Sequence, residues 1–121
     1  MSPSELRVSK DRRTLTVVFE GQAPAELPAE ALRVMSPSAE VQGHSPEQRV
    51  TVPGKRHVTI AAIEPVGHYA VKIVFDDGHS TGIYTWTYLR ELAKDYDRLW
   101  AAYLSELEDK GMDRDHPAVP R

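Results

Sequence analysis

Cysteine is absent from the 121 residues, which excludes a disulfide scaffold, a cysteine-ligated zinc or iron–sulfur cluster, a thiol nucleophile and a dithiol redox pair. Its absence is silent about redox compartment. Positive charge is also in short supply: 15 Lys+Arg stand against 18 Asp+Glu, a net charge of −3, with a sequence pI near 5.9. No basic excess draws such a chain to nucleic acid or anionic lipid. No apolar run approaches the ~20 residues that span a bilayer, and the start, Met1-Ser2-Pro3-Ser4-Glu5, lacks the basic and apolar regions of a signal peptide. A soluble cytoplasmic protein without membrane contact is expected. The seven glycines stand singly, with no GxGxxG or GxxxxGK spacing to cradle a phosphate. No GxSxG elbow is present, and none of the five histidines has an acid two positions later, the local signal of two-histidine, one-carboxylate iron.

What is present has room for one modest domain. Leu6 and Val8, then Leu15, Val17 and Phe19, alternate with polar residues on either side of a polar loop and predict a hairpin. Pro28 suits the first position of a short helix, Pro28 to Arg33. Ser36 is placed to cap a single turn begun by Pro37, and a polar loop runs on to Pro46. Arg49 to Val52 and His57 to Ile63, rich in β-branched residues around Pro53-Gly54, predict a second hairpin. Glu64 to Gly67 punctuates the chain; Val71, Ile73 and Phe75 alternate up to the turn Asp76-Asp77-Gly78, and Ser80 to Thr85 returns as a strand. From Trp86 the period becomes helical: Leu89, Leu92, Tyr96, Leu99, Trp100, Tyr103 and Leu107 predict a helix from Trp86 to Lys110 that stops at Gly111. The class is α+β, a small, mostly antiparallel sheet packed by a long C-terminal helix and one short helix. Residues 1–110 form the domain, and residues 111–121, charged and with little to bury, are expected to be a disordered tail.

Polar chemistry is densest at Asp76-Asp77-Gly78-His79-Ser80, where two carboxylates, an imidazole and a hydroxyl crowd a turn. It reads either as a metal or anion contact, or as the ordinary preference of hairpin turns for Asp and Gly. His44, in its own loop, is a second candidate ligand that could meet His79 in space. Lys10, Arg12 and Arg13 would meet Lys55 and Arg56 in a basic patch if their loops lie side by side; otherwise they are solvated tips. On the far half of the last helix Trp100, Tyr103, Leu104 and Leu107 form either a partner surface or core that folds back. A protein partner, or a second copy of the chain, through this helix is expected.

The run Leu32-Arg33-Val34-Met35-Ser36-Pro37-Ser38-Ala39-Glu40-Val41, with Gly43-His44 and Ile63-Glu64-Pro65-Val66-Gly67, is completed by Phe75-Asp76-Asp77-Gly78-His79-Ser80-Thr81-Gly82-Ile83-Tyr84-Thr85-Trp86-Thr87-Tyr88-Leu89. Together these resemble the family of small proteins similar to the N-terminal domain of gamma-butyrobetaine hydroxylase, over roughly Leu6 to Leu92. The resemblance implies a small α+β domain, found alone in bacteria or joined to an iron- and 2-oxoglutarate-dependent hydroxylase barrel or to P-loop ATPases of iron–sulfur assembly. In the hydroxylases it also implies a structural zinc held by three cysteines and a histidine. The matching positions here are Ser36, Ser38, Val41 and His79, and two hydroxyls and an isopropyl group do not replace three thiolates around zinc. No zinc is therefore expected, and no other cofactor, with iron left open. The loop geometry is expected to survive through Ser36 capping and hydrogen bonds from His79. The hydroxylase's catalytic residues lie in its barrel, so no catalysis is inherited.

The reading that follows is a non-enzymatic accessory or interaction domain near iron–sulfur or oxygenase proteins. Its binding surface is drawn from Asp76, Asp77, His79, Ser80, Trp86, Ser36, Ser38 and Trp100. The alternative is a metal-binding protein taking iron or another divalent ion through His44, His79 and Asp76 or Asp77. A third reading, a small enzyme acting through His79 and Asp77, requires a cleft beside them.

Overall fold

Two three-stranded antiparallel sheets, rather than one, carry the chain in the computed structural model, which describes residues 2–43 and 45–117. Strands β1 (Glu5–Val8) and β2 (Thr14–Val18) form the expected first hairpin. Its loop closes on Ser9, whose hydroxyl accepts the N–H groups of Arg13 and Thr14. The side-chain period of two puts Leu15 and Val17 of β2 in the core and leaves Thr14, Thr16 and Val18 half-buried. Strand β3 (Ala25–Pro28), too short to show a period, pairs with β2 and completes the sheet. Pro28 ends β3 and precedes α1 (Ala29–Val34), so it is the N-cap and not the first helical residue. Lacking an N–H, it costs the sheet nothing at an edge.

The predicted turn at Ser36 lies two residues later: α2 (Ala39–Gln42) is preceded by Ser38 at the N-cap. A 3₁₀ turn at Pro46–Gln48 follows. Residues 49–52 do not pair with 57–63 as the sequence predicts. They run along the last helix, with the Arg49 guanidinium and the Thr51 hydroxyl on Glu106 and the Val52 carbonyl accepting from the Tyr103 hydroxyl. Gly54 does take the positive φ of +72° that a Pro-Gly corner requires. The second sheet instead joins β4 (Ile60–Val66) to β5 (Ala70–Phe75) and β5 to β6 (Ile83–Thr85). Pro65, expected as punctuation, lies within β4, where an edge strand tolerates a missing donor.

The last helix, α3 (Trp86–Asp109), begins where Thr85 accepts the Tyr88 N–H, at 3.0 Å, and leaves helical dihedrals locally at Asp95. It ends in paired reverse bonds, Met112 N–H to Leu107 C=O at 2.8 Å and Gly111 N–H to Glu108 C=O at 3.1 Å, around Gly111 at φ +65°. These satisfy carbonyls that would otherwise be orphaned at the helix end. Its Leu89 and Leu92 meet Leu15, Leu32, Ile73, Phe75 and Tyr84 in one core. Tyr103 and Leu107, which the sequence left between core and partner surface, are buried; Leu104 is exposed and Trp100 half-buried.

Of the tail expected to be disordered, residues 111–117 are docked. The Asp113 and Arg114 carbonyls accept N–H bonds from Gly54 and Arg56, each 3.0 Å, and the Arg114 guanidinium forks onto Glu30 at 2.8 and 2.7 Å. Short contacts of this kind leave no period or motif to read. Residues 118–121 lie outside the described residues.

Candidate functional site

The turn between β5 and β6 aims its imidazole inward. Gly78, at φ +92°, lets the chain reverse; its N–H reaches the Phe75 carbonyl and the Phe75 N–H returns to the His79 carbonyl. Asp77 Oδ1 fixes the corner by accepting the His79 N–H at 3.0 Å. The His79 side chain is thereby buried beside the Phe75 ring, 3% exposed, against the loop that joins α1 to α2.

There Nε2 of His79 lies 2.8 Å from Ser36 Oγ and 3.4 Å from Ser38 Oγ, while Nδ1 faces Glu40 Oε2 at 3.5 Å. Ser36 Oγ also accepts the Ser38 N–H, and the other Glu40 oxygen accepts the Thr81 hydroxyl at 2.8 Å. Both ring nitrogens are satisfied if Nδ1 carries the proton toward Glu40 and the Ser36 hydroxyl donates to Nε2. Serine, imidazole and carboxylate thus stand in the order of a hydrolase triad. Ser36, however, is 0% exposed, and a Cβ on Gly82 would overlap its oxygen, so no substrate reaches it.

Asp77 is the hub of a second group. Its Oδ2 takes Arg33 Nε at 2.7 Å and Lys55 Nζ at 2.6 Å. Partial burial raises its carboxyl, but Lys55, the His79 N–H and Arg33 outweigh that and hold it down at about 2. His79 is shifted below its ordinary range, first by burial and then by the Arg33 charge, with Glu40 and Asp77 pulling the other way. Behind them the aromatic hydroxyls cap the end of α1: Tyr84 donates to the Leu32 carbonyl and Tyr88 to that of Met35.

The residues singled out by sequence thus divide. Ser36, Ser38, His79 and Asp77 converge. Asp76 is turned away, accepting the Thr59 N–H at the start of β4, and Ser80 is half-buried on the same hairpin. Trp86 donates to the His68 carbonyl at the opposite end of the sheet, and Trp100 stacks with Tyr96 beneath Arg114. His44 lies outside the described residues. The hairpin loops do lie side by side, yet Arg12 donates to the carbonyls of Ile60 and Ala61, Lys55 pairs with Asp77 and Arg56 with Asp115. Of the five cations, Lys55 and Arg56 are thus paired with acids and Arg12 is spent on backbone carbonyls. Sequence reasoning missed Arg33, Lys55 and Glu40, because only the fold brings them to the turn.

As a zinc site these side chains do not fit: one imidazole and two hydroxyls converge, and Nε2 is already within 2.8 Å of Ser36. Among the described residues no three His, Asp or Glu side chains group closely enough to hold a metal. A cleft of about 300 Å³ opens between Met35, Gln42 and Arg49 and the α3 residues Leu92, Asp95 and Tyr103, and another of about 210 Å³ is lined by Lys55, His57, Asp76 and Asp77; His79 is in the wall of neither. Among the described residues no helix is long and apolar enough to cross a membrane.

The gamma-butyrobetaine hydroxylase-like N-terminal domain family matches residues 6–90. The chain belongs to that family. A solution NMR structure resembles this gamma-butyrobetaine hydroxylase-like domain at 48% identity and TM-score 0.82, over 99% of this chain and 95% of the other. A second NMR structure does so at 42% identity and TM-score 0.80, over 99% and 89%. The crystal structure of a protein of unknown function of the DUF971 family, from Acidithiobacillus ferrooxidans, matches at 42% identity and TM-score 0.62, over 76% of this chain and 92% of that one. No curated protein matches. The family segment of this domain ends in the first turns of α3, so the far half of that helix and the docked tail lie beyond it.

Proposed function

We propose that this chain is a non-catalytic accessory domain of the cytoplasm that binds a protein partner over the β5–β6 hairpin and the loop from Ser36 to Glu40. The observation that carries the reading is the closure of the Ser36–His79 pair. The place where serine, histidine and carboxylate converge is spent on joining loop to hairpin, with a buried hydroxyl and an imidazole 3% exposed. What that joint holds in place is a surface: Glu40 and Thr81, bonded across the gap, and Ile83, 43% exposed on β6. Partners of the iron–sulfur or oxygenase kind are those the family resemblance brings.

A photo-crosslinking side chain at Thr81 or Ile83, in cells, tests the reading: a single protein captured at both positions and lost with Glu40→Arg supports it. Crosslinks to nothing, or release of a small product traced to His79, overturn it. The iron-binding alternative has no observation in its favour, since Asp76, Asp77 and His79 are each engaged by protein groups. Elemental analysis of untagged protein decides it: a stoichiometric metal lost in His79→Ala would replace the present reading.

A further inference from the structure

The cleft of about 300 Å³ beside α3 is walled by one face of that helix. Tyr88, Leu92, Asp95, Leu99 and Tyr103 recur along it at steps of three and four, and across from them stand Met35, Gln42 and Arg49. The wall includes the break in α3 at Asp95, where φ is −104° and ψ 15°. Its apolar part is well covered, since Met35, Leu92 and Tyr103 are buried.

The polar groups of the wall have given their protons to other protein atoms. The Tyr88 hydroxyl donates to the Met35 carbonyl, the Tyr103 hydroxyl to that of Val52, and the Gln42 amide nitrogen to that of Ser36. Gln42 thereby keeps an oxygen that can only accept. Both guanidinium charges are matched: Arg49 pairs with Glu106, which also accepts the Thr51 hydroxyl at 3.1 Å, and Arg98 pairs with Asp95 at 3.3 Å. Glu91 is the acid left over. Among the described residues it makes no ion pair, and Asp95, one turn on, adds a like charge that disfavours the helix. The Glu91 charge reaches the cleft: the Tyr88 hydroxyl, raised above its ordinary range first by burial, is lowered by Arg49 and raised again by Glu91.

We infer that this cleft binds a small monocation with an apolar body, an arylalkyl amine in chemical class, with its ammonium at Glu91 and its ring against Leu92, Leu99 and the tyrosines. A cation meets each of these observations. It brings N–H donors to oxygens that lack them, relieves the repulsion between Glu91 and Asp95, and is attracted to a tyrosine face. An anion finds both guanidinium charges already matched, and a neutral ligand leaves Glu91 unpaired. A volume at the lower end of ligand pockets suits one ring and a short chain. Neither Thr81 nor Ile83 is in this wall, so the site is separate from the partner surface proposed above.

The test titrates the full chain with 2-phenylethylamine, followed by NMR. Saturable shifts of the Glu91, Leu92, Asp95 and Leu99 amides are expected with a Kd of about 1 mM. Binding should be about tenfold or more tighter than that of 3-phenylpropionate, which keeps the ring and reverses the charge, or of methylamine, which keeps the charge alone. Glu91→Gln, at an exposed position, should weaken the amine about fivefold or more without lowering the thermal midpoint. Ala102→Leu, also exposed, fills the cleft and should abolish the shifts. Equal binding of amine and carboxylate, methylamine as tight as the arylalkyl amine, an affinity unchanged in Glu91→Gln, or no saturable shift up to about 20 mM overturns the inference. None of these results bears on crosslinks at Thr81 and Ile83, so the two readings fall separately.

Discussion

One imidazole joins two stretches that are distant in sequence, since His79 on the β5–β6 turn reaches Ser36 and Ser38 after α1 and Glu40 on α2. Removing it leaves the buried Ser36 hydroxyl without its stronger partner, so His79→Ala should cost about 1–3 kcal/mol in urea unfolding, with metal content unchanged. The same residue sets an acid limit. Burial and the Arg33 charge lower its proton affinity in the folded chain, so below the ordinary value of 6.5 the unfolded chain binds more protons and folding weakens. Unfolding midpoints should therefore hold above pH 6.5 and fall below it, and His79→Gln should flatten that slope. Asp77 acts in a later window: held near 2, it loses its contribution only as pH falls from 3.8 toward 2. Sequence alone marked His79 and the Ser36 loop as partners, through the family resemblance. It gave no sign of Arg33 or Lys55, because an ion pair across 44 residues, as between Arg33 and Asp77, has no local pattern.

Helix α3 was the most legible element because its apolar residues recur at steps of three and four and Gly111 stops it, while its cap at Thr85 shows only in the structure. Thr85→Ala removes the hydroxyl that accepts the Tyr88 N–H and should destabilise by about 1 kcal/mol. Gly111→Ala should cost a similar amount, about 1 kcal/mol, although a Cβ there meets open space, since the expense lies in the φ of +65°. Thermal unfolding of both variants checks the pair. The strand predictions fared unevenly for a physical reason. Alternation picked out β1, β2 and β5: one face of β2 and of β5 is buried, and Leu6 and Val8 of β1 are half-buried. At residues 49–52 the same β-branched composition found its partners on α3 instead, through Arg49 and Thr51 on Glu106, and tertiary contacts overrode a weak preference. Strand β3 had only four residues and a terminal proline to declare it.

Across the whole molecule, two small sheets cannot cover a helix of 24 residues, and what completes the cover is irregular: residues 49–52 on one side and the docked tail on the other. Arg114 ties that tail to Glu30 of α1 and to Trp100 of α3 at once. Arg114→Ala should therefore destabilise by about 3 kcal/mol, the expense of leaving Glu30 buried without its counter-charge. Adding Glu30→Gln should recover part of that loss, because the stranded charge is then gone; a double-mutant cycle in urea measures the recovery, and strict additivity would deny the coupling. The sequence by itself determined the α+β class, the first hairpin, the long helix with its two ends, and the family. Those follow from periodicity and from residues that act on their immediate neighbours. Only the tertiary structure decided that there are two sheets, that the tail is docked, and that Glu40 and Asp77 join the Ser36 loop around His79. Burial and ion pairing depend on which distant segments meet, and a chain read in order does not contain that distance.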